Sequence, residues 1–305
     1  LYLPPLPGFV AHMELSLPGT LYSLATGCAL ASFYTLNKKT SRAGNPLQII
    51  FWIFAAHLPP ILLWAACGGD LHVDWGYVPP GLGVLALTVA GNFLAIRALS
   101  LSPFSLMMPV MCLSPVFTSI IGIPLLGEWP SGLQWAGILL AVFGVLCLYA
   151  PKDRPWDIFS LWAAFVRERG GPSMALSALS WAISAPMDKL ALRHATPASH
   201  ALFVFAGLVL FLLIWLTARG EWRLAPIARS YWPLLVATGA SGAAADILQL
   251  FALQQTAAGP FEAIKRVTSQ VLALILGYYI FGESLTRPKL VGIAIISISV
   301  PLVVL

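Results

Sequence analysis

The stretch ALSLSPFSLMMPVMCLSPVFTSIIGIPLLGEWPSGLQWAGILLAVFGVLCLYAP (residues 98–151) holds a single charged side chain, Glu128, between Arg97 and Lys152. A helix needs about 20 mainly apolar residues to cross the hydrocarbon core of a bilayer. The runs on either side of Glu128, 98–127 and 129–151, each meet that length. Working outward, charge-free runs at 15–37, 43–69 and 75–96 precede them, and runs at 170–187, 195–218, 230–245, 267–282 and 290–305 follow. Run 230–245 becomes a span if its helix tolerates Asp246 and continues to about Gln255. Run 267–282 likewise needs the turn that carries Lys265 and Arg266. None of the runs alternates as a barrel strand would. The expectation is an all-α integral membrane protein with ten transmembrane helices.

Composition agrees. Hydrophobic residues make up 59% of the 305 and charged residues 10%, against about 25% charged in soluble proteins. A soluble enzyme and a disordered chain are excluded. The net charge of +5 is spread over 17 Lys and Arg with no basic run, which leaves nothing to track nucleic acid. Cys28, Cys67, Cys112 and Cys147 stand singly, without the spacing of a disulfide framework or a metal site. The chain has no P-loop, HExxH or GxSxG, so neither an enzyme nor a bound cofactor is expected.

The chain repeats after about 150 residues. Asn37-Lys38 and Asn45-Pro46 correspond to Asp188-Lys189 and Thr196-Pro197, and residues 91–99 to 245–253. Pro124-Leu125-Leu126-Gly127-Glu128 corresponds to Tyr279-Ile280-Phe281-Gly282-Glu283, and Gly137-Ile138 to Gly292-Ile293. Five helices per half is an odd number, so the second half enters the membrane from the opposite side. Inverted repeats of this kind are common in secondary transporters, with the site near the midplane between the halves. The expected division is an N-terminal extension at 1–14, a first five-helix repeat at 15–150, a connector at 151–171 and a second repeat at 172–305. The connector reads either as a short interfacial helix carrying Trp156, Phe159, Trp162 and Phe165, or as a snorkelling linker. The opening residues lack the basic start of a signal peptide, and Met13 reads as a start site.

The halves PVMCLSPVFTSIIGIPLLGEWPSGLQWAGILLAVFGV and IKRVTSQVLALILGYYIFGESLTRPKLVGIAI resemble the drug/metabolite transporter superfamily, EamA type. The resemblance covers residues 13–305 and implies a multi-pass carrier of small metabolites, working by alternating access in a bacterial inner membrane. Its substrate would be a small molecule. The superfamily handles amino acids, nucleotide sugars, organophosphates, cations and drugs.

Asp246 lies mid-span, where an ionised carboxylate is costly unless it faces protein or water. It is read as a coupling residue that exchanges protons, or as half of a structural ion pair. Gln249 shares its face, and Asn92 is its first-half counterpart. Glu262, Lys265 and Ser269 define one face of the ninth helix, and Arg266 adjoins it. Lys265-Arg266-Val267 resembles the Lys-Arg-Val of plastid phosphate translocators, where the pair binds phosphate. Their fourth helix supplies a further Lys, where this chain reads Met111-Cys112-Leu113. Arg forks onto phosphate or carboxylate while Lys adds a point charge. The alternative is a local Glu262–Arg266 pair with Lys265 snorkelling to the headgroups. Glu262 joins Asp246 as a coupling candidate, and Tyr34 and Trp181 are deep enough to line a cavity. Pro109, Pro115 and Pro186 read as gating kinks or as static ones. Glu128 and Glu283 read as caps of the helix that follows each. The cavity is expected among helices 1, 3, 4, 6, 8 and 9.

Loops after odd-numbered helices hold 13 Lys and Arg against 2 on the other side. By the positive-inside rule both termini are therefore outside, opposite to the usual placement in ten-helix relatives. A cysteine placed beside Asp70 is expected to react with an impermeant thiol reagent in intact cells, and one beside Arg167 to stay unreactive. The reverse pattern would invert the orientation. Two functions fit the whole: a secondary transporter of a small polar, anion-bearing metabolite, or a transporter-like subunit acting as a structural partner in a larger membrane complex.

Overall fold

The computed structural model describes residues 16–40, 46–68, 70–101, 111, 113–148, 169–220, 227, 229–281 and 287–304. Residues 1–14, most of the connector, Pro109, Cys112 and Glu283 lie outside them. The described residues form ten α-helices: α1 Leu17–Thr40, α2 Pro46–Gly68, α3 Val78–Leu101, α4 Ser114–Leu126, α5 Gly132–Leu148, α6 Gly171–Ala191, α7 Pro197–Ala218, α8 Trp232–Gln255, α9 Ala258–Phe281 and α10 Arg287–Val304. The described residues are almost entirely helical, as befits a multi-pass membrane protein.

The distribution of polarity explains why these segments fold so. In hydrocarbon every backbone polar group must be satisfied internally, and a helix does this within its own segment. The surface is apolar: Leu62, Leu63, Leu139, Leu210, Ile214 and Ile298 are all exposed. The interior is where polar groups gather, with Thr26, Ser114, Thr118, Ser177, Glu262, Lys265 and Arg266 buried. Spans 47–67, 75–95, 197–218 and 229–255 are long and apolar enough to cross a membrane by composition alone. Helices α1, α6 and α9 are as long but carry more polar residues, many of them buried against neighbouring helices.

The principal packing runs between helices α1–α5 and helices α6–α10. Helix α1 lies against α8 and α9, and α6 lies against α3 and α4. Helix α2 lies on α8, and α7 on α3; α2 meets α7, α4 meets α9, and α5 meets α10. Gly27 lets α1 approach α9 closely, since a Cβ there would sit 2.9 Å from the Thr268 methyl and 3.0 Å from the Lys265 carbonyl oxygen.

One boundary differs from expectation. Helix α9 starts at Ala258, so Lys265 and Arg266 lie about two turns inside it rather than one. The reason is a long-range cap: the Ala258 amide donates to Glu128 Oε2 at 2.8 Å. Glu128 thus caps α9 rather than the helix that follows it. Pro115 stands in the first turn of α4, just after the turn at Leu113, at a position where the missing amide costs nothing. Pro186 lies inside α6, buried.

Candidate functional site

A cavity of about 290 Å³ lies between the halves. Tyr34, Asn92, Trp181, Asp246, Gln249, Glu262, Lys265 and Arg266 all line it. Its walls come from α1, α2, α3, α6, α7, α8 and α9, plus Met111. The expected helix set is therefore extended: α2 supplies Phe54 and His57 and α7 supplies His200 and Phe205, while the fourth run, 98–127, contributes Met111. Helix α4 is covered because it packs behind α6 and α9. Ser269 also lies off the cavity, its hydroxyl donating back to the Arg266 carbonyl at 3.0 Å.

The two cations are held by one acid. Lys265 Nζ pairs with Glu262 Oε1, and Arg266 Nε lies 3.4 Å from Glu262 Oε2. Ser114 bridges them, donating to Glu262 Oε2 at 3.2 Å and accepting from Arg266 Nε at 3.2 Å. Arg266 Nη1 donates to the Tyr34 hydroxyl at 3.2 Å. Lys265 Nζ donates to Gln249 Oε1 at 2.9 Å and sits over the Phe261 ring. Both alternatives read from the sequence thus have a structural answer. The Glu262–Arg266 pair exists, but Lys265 is buried and turned inward, not extended to headgroups. Asp246 is the accessible acid, 30% exposed, with His57 Nε2 3.6 Å away. His57 is anchored through Nδ1, 2.8 Å from the Ile53 carbonyl. Asn92 donates to the Thr88 carbonyl at 2.8 Å.

One group escaped the sequence reading. Asp188 and His200 meet across the α6–α7 link, with His200 Nε2 3.1 Å from Asp188 Oδ1. Tyr77 lies 2.9 Å from His200 Nδ1. Gln249 Nε2 donates to Asp188 Oδ2 at 3.3 Å. The available signal was Asp188 at the position matching Asn37, which also lines the cavity.

Beyond this group one end of the cavity is clasped. Val73 and Ala195 form an antiparallel bridge, Asp74 N–H donates to the His194 carbonyl at 2.9 Å, and Thr196 N–H to the His72 carbonyl at 3.0 Å. His194 Nδ1 lies 3.0 Å from Asp74 Oδ1. Desolvation pushes the Asp74 carboxyl up, but the His194 contact, the Gly76 amide and the charges of His194 and His72 outweigh it and hold it below the ordinary aspartate value. A carboxyl lowered on folding stabilises above its ordinary value, and that contribution is lost as pH falls through the lowered one. Hydrogen exchange at the Asp74 and Thr196 amides should therefore show protection that holds down to the ordinary aspartate range and disappears below it. Protection that falls already between pH about 7 and 5, where the carboxyl stays ionised, would contradict this.

The EamA-like transporter family model matches residues 17–150 and again 169–305. The "Uncharacterized transporter YwfM" of Bacillus subtilis (strain 168) is 28% identical over 148 residues, 46% of this chain and 48% of that protein. The chain thus matches about half the length of that relative. A solved crystal structure, described only as that of a protein, covers 93% of this chain and 95% of its own with a TM-score of 0.74. At 16% identity that likeness shows the fold alone.

Proposed function

The chain belongs to the EamA-like transporter family, and on that premise we propose that this membrane transporter is a secondary carrier of a small polar, anion-bearing metabolite. The observation that carries the reading is the placement of Lys265 and Arg266, both lining the cavity and both held by Glu262. An Arg beside a Lys suits a carboxylate or phosphate, through paired hydrogen bonds and an adjacent point charge. Tyr34, Asn92, Gln249 and Trp181 give the cavity hydrogen-bonding groups and an aromatic wall for the rest of such a molecule.

Alternating access is supported by the helix pairings. Exchanging the halves, five helices apart, turns α1–α8 into α6–α3, α1–α9 into α6–α4, and α2–α8 into α7–α3, all of them packed pairs. Such exchange is what a two-fold axis between inverted repeats produces, and halves so related can rock about a central site. The repeats at 15–150 and 172–305 are the moving units of this reading. Pro186 in α6, and Pro109 and Pro115 before and at the start of α4, are the places for a hinge. The relative's bacterial source favours an inner-membrane location.

Proteoliposomes test this directly. Reconstituted protein should take up labelled succinate, inorganic phosphate or 3-phosphoglycerate saturably and exchange it with the same unlabelled anion inside. Stoichiometric copurification of a membrane partner, with no uptake or exchange of any of the three, would favour the structural-subunit role.

A further inference from the structure

We infer that the buried Asp188–His200–Tyr77 group is a proton site whose occupancy is coupled to anion binding at Lys265 and Arg266 through Gln249. The inference rests on the anion reading above and assigns it a coupling ion and the place where that ion is held.

The charge inventory motivates it. Around the cavity two bases, Lys265 and Arg266, face three acids, Glu262, Asp246 and Asp188. With all five ionised the site is already negative, and an anionic substrate adds to that. In a poorly solvated interior such an imbalance is costly. Anion entry is therefore favoured when a proton enters too.

His200 can accept that proton with its hydrogen bonds intact. As the neutral ring it donates Nε2–H to Asp188 Oδ1 and accepts the Tyr77 hydroxyl proton at Nδ1, both within 3.1 Å. A proton added at Nδ1 makes the ring a donor on both sides, and the Tyr77 oxygen accepts after its hydroxyl rotates. Asp188 keeps both its partners, and the pair passes from one negative charge to none. Asp246 lacks such a partner, since His57 Nε2 stands 3.6 Å off, beyond a good hydrogen bond.

The link to the substrate site is continuous. Asp188 Oδ2 accepts from Gln249 Nε2, and Gln249 Oε1 accepts from Lys265 Nζ. One amide therefore reports the charge of Asp188 to the cation that would meet the anion. The groups facing the pair are Tyr77 ahead of α3, Gln249 and Asp246 from α8, and Lys265 with Glu262 from α9. Lys189, next to Asp188, turns instead to Glu128 at the end of α4 and to the Thr256 carbonyl. The repeat adds a second argument. The position matching Asp188 in the first half is Asn37, also at the cavity wall, so the carboxylate belongs to the second half alone.

Calorimetric titration of the purified protein with succinate, inorganic phosphate and 3-phosphoglycerate, each in two buffers of different ionisation enthalpy, counts protons taken up per anion bound. Wild type should take up a proton with the anion, approaching one for one. His200→Gln and Asp188→Asn should bind the same anion with no uptake, while Asp246→Asn retains it. Asp188→Asn and Tyr77→Phe serve if His200→Gln fails to fold, with Tyr77→Phe lowering the proton count. Anion binding without proton uptake in wild type overturns the proton site and leaves the anion reading standing. So does uptake that persists in His200→Gln and Asp188→Asn, or that is lost only in Asp246→Asn. Absence of binding by all three anions overturns the anion reading itself, and the proton site with it.

Discussion

Lys265→Gln and Arg266→Gln are each expected to weaken binding of an anionic metabolite by roughly 30-fold or more while leaving the protein folded and monodisperse. Losing one charged partner from a buried, hydrogen-bonded contact costs about 2–5 kcal/mol. The fold should survive because Glu262 keeps a cation in either variant. In Lys265→Gln it retains Arg266 and the Ser114 hydroxyl, and in Arg266→Gln it retains Lys265. Glu262→Gln is the informative contrast, since it releases both cations from their common anchor and should damage stability as well as binding. Melting temperature and affinity measured on the same preparations separate the two effects. Normal anion affinity in both basic-site variants would remove the basis of the anion reading.

The second large effect concerns stability at the clasped end. Glu128 ties three elements together: Oε1 pairs with Lys189 of α6, and Oε2 accepts the first amide of α9. Lys189 also donates to the Thr256 carbonyl at 2.8 Å between α8 and α9. The side chains are 9% and 15% exposed, so the pair is largely shielded from water. Removing one member of a buried pair costs about 3–5 kcal/mol. Glu128→Gln should therefore lower unfolding stability in detergent by an amount of that order. Adding Lys189→Met should recover much of the loss, because the second desolvated charge is gone as well and the amide cap can persist. Equal stability of wild type and Glu128→Gln would show that the pair contributes nothing net.

Charge-free run lengths made the membrane class and the ten helices legible, because the need to bury backbone polar groups acts on every residue of a span alike. Asp246, Lys265 and Arg266 were legible for the opposite reason: each is an expensive exception to that rule. Asp188 and His200 were not, since their meaning lies in a meeting across the α6–α7 link, and Asp188 stood at the edge of a run where charges are ordinary. The role of Glu128 was half visible. A carboxylate after Gly127 suggested a helix cap, but the helix it caps begins 130 residues later. The cavity wall was read incompletely at α2 and α7, because a repeat gives equivalent positions without saying how deeply each helix sits. Ser269 shows the limit of spacing: three residues from Arg266 on the same helix, its hydroxyl bonds the backbone instead of facing the cavity.

The most direct test is thermal stabilisation of the purified wild-type protein across matched anionic, zwitterionic and cationic metabolites. Carboxylates or phosphates should raise the melting temperature saturably, in wild type and not in Lys265→Gln or Arg266→Gln. Stabilisation by cationic compounds alone would contradict the assignment of this cavity to an anion-bearing substrate.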